Sequence, residues 1–284
     1  MVAGSDAHKI LFCQTFVETH RVFEPEELPW PQLDAASIDR LRSIPFWPAA
    51  LRAERNAGIM VTRFAETLAD PLMREALAMQ GIEETRHGRL LAEMLKRYGI
   101  PVDVPAQETL DCSERAFIDF GYEECIDSFF GFGIFGLARQ IQLFVPTLTD
   151  IFEYVLLEEA RHVTFFVNWI AYERIRRGRG AMAVQALSTA LGYVRAVKRI
   201  VTTFAPSGGS KVKGVGFGAE GAFKMFDGVT WRSFLQSCVG ENDRYLAAMD
   251  AQLIRPRVLP AIARMALGLP SFGRRPVAAS SPST

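Results

Sequence analysis

The chain has 284 residues, 49% of them hydrophobic, with Lys+Arg 32 set against Asp+Glu 32 for a formal net charge of +0. This length is generous for one domain and short for two large ones, and the apolar share is enough for a sizeable core. Balanced charge argues against a nucleic-acid partner, since binders of polyanions carry a basic excess. The four cysteines, Cys13, Cys112, Cys125 and Cys238, lie far apart without a C-x-x-C pair. That spacing reads as reduced cytosolic thiols, not as a disulfide frame or a thiolate iron centre. The N-terminus lacks a basic segment followed by an apolar run, so no signal peptide is expected. The most apolar stretch, Phe129 to Leu137, is flanked by Asp127 and Arg139. A bilayer span needs about 20 apolar residues, so a soluble, cytoplasmic protein without a membrane span is expected.

Taken in chain order, an apolar run from Ile10 to Val17 predicts a short helix. The Pro- and aromatic-rich segment 23–31 predicts an extended arm laid over a core. A second short helix is expected behind Asp34 or Ser37, ending before Pro45. From Pro48 the pattern turns to long helical periodicity. One helix is predicted from Pro48, an early helical position, to about Ala69. Asp70-Pro71 reads as an N-cap and first-turn proline for a helix that continues to Arg97 and stops at Gly99-Ile-Pro101. A loop leads to Ser113, a third long helix to about Leu143, and Pro146 opens a fourth that ends near Arg176. Four long helices in two hairpins joined by a longer crossover predict an all-α bundle. A fifth helix to about Phe204, a glycine-rich loop over 206–218, and helices over 230–253 and 256–267 follow. The tail after Pro270 is rich in Pro, Ser and Ala and is expected to be disordered.

Two segments carry chemistry: Glu83-Glu84-Thr-Arg86-His87 and Glu158-Glu159-Ala-Arg161-His162. Residues three apart share a helix face, so Glu84 and His87 can point inward together, as can Glu159 and His162. The chain has only 4 His, and two of them complete an E-E-x-R-H sequence on a predicted long helix. One oxygen and one nitrogen donor from each of two helices predict a dinuclear metal site, with two more carboxylates from the other helices. Glu54 lies sixteen residues before Asp70 and Glu84 fourteen after it. Folding at Asp70-Pro71 therefore brings the two to nearly one height, since each residue rises about 1.5 Å. Glu54 also shares an apolar stripe with Ala57, Gly58 and Val61, where a carboxylate needs a reason.

The third helix offers Glu123, Glu124 and Asp127. Glu124 shares a face with Phe117, Gly121 and Gly131, and Glu123 with Phe120, Ile126 and Phe130. Both stripes are apolar, so periodicity does not decide. Glu124 is preferred because polar Asp127 and small Gly131 leave room beyond it; Glu123 stays the alternative. Asp127 is a candidate extra ligand or hydrogen-bond acceptor. Metal-bound histidines donate their other N–H to a carboxylate or carbonyl, a role open to Asp127, Glu83 or Glu158, with Arg86 and Arg161 pairing to them.

At these motifs the sequence resembles the ferritin-like di-iron carboxylate proteins, which include acyl-carrier-protein desaturases, multicomponent monooxygenase hydroxylases, rubrerythrins and ferritins. The run from Glu83 to Leu91 is most similar to the E-E-x-R-H-G-x-L-L segment of the plant-type desaturases. The resemblance covers residues 46 to about 178. It implies a ferritin-like four-helix bundle over 46–178, preceded by an N-terminal helix and arm over 1–45. Additional helices of the same domain then occupy 179–269, before the tail 270–284. It further implies the ligand set Glu54, Glu84, His87, Glu124, Glu159 and His162 holding two Fe ions, with Mn or a mixed Mn/Fe pair able to use the same donors. The expected activity is O2-dependent oxidation of a small or medium, fairly apolar molecule with electrons from a separate donor; a homodimer is compatible with it. The alternative is iron handling by a ferroxidase, which the long extensions disfavour. Rubrerythrin-type peroxidase chemistry lacks its C-x-x-C pairs here.

Gly131-Phe-Gly133-Ile-Phe-Gly136 matches G-x-G-x-x-G but sits inside a helix with no strand before it, so it is not read as a dinucleotide motif. Close helix packing is its first explanation. A substrate cavity walled by Phe129, Phe130, Phe132 and Phe135 around Gly131 is the sharper one. The loop with Lys211 and Lys213 lacks a P-loop signature. Glu241-Asn-Asp243-Arg is read as a packing or capping network.

Overall fold

The computed structural model describes residues 2–44, 46–103, 109–203 and 228–268. Among them every regular element is helical. We number the helices α1 (Asp6–Glu18), α2 (Ala35–Ser43), α3 (Trp47–Glu66), α4 (Pro71–Arg97), α5 (Glu114–Gln140), α6 (Pro146–Arg176), α7 (Met182–Thr203), α8 (Trp231–Ala247) and α9 (Val258–Gly268), with one 3-10 turn at Pro25–Glu27. The glycine-rich loop over 206–218 and the tail after Pro270 lie outside the described residues.

Local chemistry sets the boundaries. Asp70 accepts hydrogen bonds from the amides of Leu72 and Met73 and carries Lys9 on its other oxygen at 2.6 Å, so one carboxylate caps α4 and ties α1 to it. Ser113 caps α5 through the Ala116 amide, and Thr230 with Ser233 forms a capping box for α8. Pro48, Pro71 and Pro146 sit in first turns, where the missing N–H costs nothing.

Helices α3 and α4 form a hairpin in contact along most of its length, and α5 and α6 form a second. Contact across the hairpins, α3 to α5 and α4 to α6, is much slighter. One apolar core fills the end near α1, with Phe64 and Phe117 stacked at 4.9 Å and Trp169 set edge-on. A second fills the opposite end around Leu90, Met94, Leu148 and Phe152. The polar layer lies between them.

The remaining segments are covers. The arm after α1 lays Phe23 against Tyr154 and over the Arg86 guanidinium, 4.1 Å from the ring centre. Helix α7 is bound to α5 by Arg195–Asp119 and Arg199–Glu123 ion pairs. Helix α8 packs so tightly on α5 that a Cβ at Gly133 would meet Cys238 Sγ at 2.2 Å and its backbone at 2.9 Å, and one at Gly136 would meet Glu241 and Ser237 below 3 Å. Close packing thus accounts for two glycines of the Gly131–Gly136 run. Glu241 and Asp243 pair with Arg139, Arg244 and Arg264, the expected network. His8 is a core residue: Gly4 N–H donates to its Nδ1, and its Nε2 meets Asn168 Oδ1 at 2.8 Å.

The α3–α4 seam is equally close. A Cβ at Gly58 would stand 2.4 Å from Thr85 Oγ1 and 3.0 Å from its amide, whereas one at Gly88 would meet nothing nearer than 3.6 Å. Gly58→Ala should therefore cost about 1–3 kcal/mol of unfolding free energy through overpacking. Gly88→Ala should be neutral or stabilising; urea denaturation of the two variants measures the contrast.

Candidate metal centre

The polar layer is assembled from four helices. Glu54 comes from α3, Glu84 and His87 from α4, Glu124 from α5, and Glu159 and His162 from α6. Glu54, Glu84, His87 and Glu159 bring donor atoms within 4.8 Å of one another, as do Glu84, Glu124 and His162. Glu84 belongs to both groups, and Glu159 approaches both histidines, so the two groups form adjoining sites. His87 Nδ1 lies 3.2 Å from Glu159, 3.4 Å from Glu54 and 3.9 Å from Glu84. His162 Nδ1 lies 3.1 Å from Glu84 and 3.8 Å from Glu159. The two imidazole centres are 5.6 Å apart.

The outer nitrogens are committed elsewhere. His87 Nε2 donates to Glu158 at 2.9 Å, and His162 Nε2 donates to Glu83 at 2.8 Å. Arg86 completes the Glu158 site and Arg161 the Glu83 site, each at 2.5 Å. The pairs cross: the first glutamate of each E-E-x-R-H segment serves the arginine and histidine of the other. Each arginine also lies over a phenylalanine of the N-terminal segment, Phe23 for Arg86 and Phe16 for Arg161. With Nε2 held, the Nδ1 atoms of both histidines are buried and make no hydrogen bond. Orphaned ring nitrogens facing carboxylates are what a metal ion would occupy. Oxygen-rich donors with two imidazoles suit Fe(II), Mn(II) or Zn(II). The residues fit a pair of divalent ions.

Electrostatics point the same way. Burial, reinforced by Glu159 and Glu84 close by, holds the Glu124 carboxyl well above the usual range. Burial lifts Glu54 to about 7 despite His87 beside it. Glu159 is also buried, but the two imidazoles outweigh that and bring it down to about 2. Burial opposes charging of the histidines, yet the surrounding carboxylates prevail: His87 is driven well above its ordinary value, and His162 is raised to about 10. Protonation of these groups offsets the negative charge that burial would otherwise isolate.

The two other carboxylates of α5 part company. Glu123 pairs with Arg199 of α7, away from the cluster. Of the two, the structure brings Glu124 to the cluster, and α7 supplies Glu123 with a partner that helix periodicity could not show. Asp127 is half-buried beside the cluster, without a hydrogen bond or ion pair among the described residues. Burial and the charges of Glu123, Glu159 and Glu54 raise it to about 7. It is not among the donors grouped with either histidine. Gly131, one turn on, is buried, yet a Cβ there would meet nothing within 4 Å. The expected phenylalanine wall divides: Phe130 stacks on Phe234 of α8, and Phe135 lies against Phe152 of α6. At Gly131 itself there is room for at least a methyl group. Glu54 has 23% of its side chain exposed, whereas Glu83 and Glu158 have none. The cluster is open on its α3–α5 side and sealed beneath.

Sequence reasoning passed over three contributors. His20, just past α1, sets Nδ1 2.5 Å from Glu83. Gln80 donates to Glu84 at 3.0 Å, and Ser128 to Glu159 at 3.2 Å. Gln80 was detectable, one turn before Glu84 on the same face; His20 carried no spacing signal. Comparison with protein-family models, curated proteins and solved structures finds no match for this chain.

Metal uptake must expel the protons on His87, His162 and Glu124 and the part-share on Glu54, because ligands bind deprotonated. Loading a metal-free sample at pH 7 should release about three to four protons per chain, read with a pH indicator, and affinity should climb steeply from pH 6 to 8. Glu83→Gln leaves the donors in place but weakens the hold on His162. It should lower metal affinity about 10–100-fold by competition with a chromophoric chelator.

Proposed function

We propose that this protein is an O2-activating non-haem di-iron oxidoreductase of the ferritin-like kind. It would hydroxylate, desaturate or otherwise oxidise a small or medium, fairly apolar organic molecule, drawing electrons from a separate donor. The observation that carries this reading is the pair of buried, orphaned Nδ1 atoms set among four carboxylates from four helices, beside a hollow at Gly131. Glu54, Glu84, His87, Glu124, Glu159 and His162 would hold the ions, iron foremost and manganese with the same donors. When bound, such a pair supplies two reducing equivalents to O2.

The chain's own residues provide the rest. The Glu158–Arg86 and Glu83–Arg161 pairs orient the imidazoles and keep their outer N–H groups occupied. The apolar cores on either side exclude water from the two ends of the layer between them. The space beside Gly131 is where an organic guest would sit, and Asp127 one turn away is an unclaimed carboxylate able to hold or pass a proton. Free cysteines suit a reducing compartment, and no described helix is long and apolar enough to cross a membrane; we place the protein in the cytoplasm.

The test is to load metal-free protein with Fe(II) under anaerobic conditions, admit limiting O2 and follow absorbance on the millisecond scale. About two irons per chain and a rapid transient support the oxygenase reading. Uptake of hundreds of irons per assembly would instead make it a storage protein, and failure to bind near-stoichiometric iron or manganese removes both. Gly131→Leu fills the hollow, and should slow the reaction with O2 several-fold while iron content holds. Equal loss of both would assign Gly131 to packing alone.

A further inference from the structure

Among the described residues, helix α7 is bound to the bundle along one side only. Gly192 and Ala196 are buried against α5, where a Cβ on Gly192 would meet the Tyr122 ring at 2.2 Å. Its other side faces outward and is apolar. Val184, Leu187, Leu191, Val194 and Val201 are all exposed, Leu187 at 63% and Val194 at 65%. With Lys198 they fall at alternating intervals of three and four, the spacing of a helix seam that packs against another helix. Exposed Ala186 and Ala190 lie between them and exposed Ala183 just before them, small enough to let a partner backbone approach closely. Monomeric proteins rarely leave so continuous an apolar strip in water.

We propose that the outward face of α7 pairs antiparallel with the same face of a second copy of this chain. Three observations select that occupant. Lys198 is the only charged residue in the seam, so the face has no pattern of charge for a different partner to complement. A parallel pair would set Lys198 against its own copy. The antiparallel pair sets Val184 opposite Val201, Leu187 opposite Lys198, and Leu191 opposite Val194, filling every layer. It offsets the two Lys198 charges by eleven residues, about 16 Å, beyond the screening length of about 8 Å at physiological salt. The Lys198 stem can lie along Leu187 with its ammonium in water.

A standard stable interface buries about 800 Å² per partner, and the exposed apolar side chains of α7 run as one strip from Val184 to Val201 to supply its centre. A lipid surface is the weaker fit, because an interfacial helix places aromatic residues and free basic side chains along its flanks. Here the seam has no aromatic residue, and Arg195 and Arg199 are already paired with Asp119 and Glu123. A two-fold self-pair is also the commonest closed assembly.

Sedimentation equilibrium of the full metal-loaded chain tests this. The expected mass is twice 31.6 kDa at micromolar concentration. Leu187→Asp/Leu191→Asp should bring it to that of one chain, weakening association at least about a hundredfold, with metal content and far-UV circular dichroism unchanged. A second variant does not depend on tolerance of those charges. Val184→Cys/Val201→Cys should cross-link into covalent dimers under mild oxidation, while Val184→Cys alone should not. Within one chain these positions stand about 25 Å apart on the helix, too far for an internal disulfide. A single-chain mass at about 100 µM, a dimer indifferent to the Asp substitutions, or equal cross-linking of the single and double cysteine variants overturns the proposal. So does a monomer that floats with phosphatidylglycerol vesicles, which would assign the face to a lipid surface.

Discussion

The structure depends on two crossed carboxylate clamps. Glu83 and Glu158 are fully buried, and each is shared between an arginine and a histidine of the opposite helix. Breaking one partner from a buried ion pair leaves an uncompensated charge and costs far more than a surface pair contributes. The clamps therefore fix which face of α4 meets which face of α6. They also explain a feature of the packing: α4 and α6 have little direct backbone contact, yet both imidazoles are held to a defined orientation. Side-chain pairs bridge a gap that apolar packing would otherwise have closed, and the gap is where the six donors gather.

The N-terminal segment makes these clamps possible. A guanidinium keeps its charge in any environment, so burying Arg86 and Arg161 requires neighbours for the planar faces as well as the N–H groups. Phe16 and Phe23 cover those faces, and Thr19 and the Phe16 carbonyl take further Arg161 donors. His20 extends the Glu83 side toward solvent, and Glu158 has no such exposed neighbour in its hydrogen bonds. The duplicated motif thus builds a near-symmetric inner layer, and the single-copy N-terminal arm makes its surroundings unequal.

Much of this was legible in the sequence because its signals are local. Asp70-Pro71 sets a helix start by cap and ring chemistry, and the observed helix begins there. Glu84/His87 and Glu159/His162 follow from i, i+3 spacing, and Glu54 from counting equal lengths back from the hairpin. What could not be read is what depends on contacts distant in the chain. Both faces of α5 that carry a carboxylate are apolar, so the choice of Glu124 waited on Arg199, more than seventy residues away. The crossing of the clamps was equally hidden: Glu83 and Glu158 were foreseen as supports, but an i, i+4 reading would have paired each with its own histidine. His20 had no repeat or cap around it, and only the path of the arm brings it to Glu83.

The inner layer also explains why its openness is one-sided. Four carboxylates and two imidazoles around two divalent ions would form a charge-neutral set, which is tolerable at depth in a way that the bare carboxylates are not. Asp127 adds one more carboxylate than neutrality requires, and it lies on the side where Glu54 is exposed and Gly131 leaves space. Beneath the histidines, by contrast, every acidic group has a cation. A bundle built only for stability would close the α3–α5 side with a methyl at Gly131 and an apolar residue at Asp127, as it closes α5 against α8 through Gly133 and Gly136. The same helix is thus packed to contact on one face and held open on the next. That difference, between neighbouring glycines of a single run, is what the proposed reading of the site draws on.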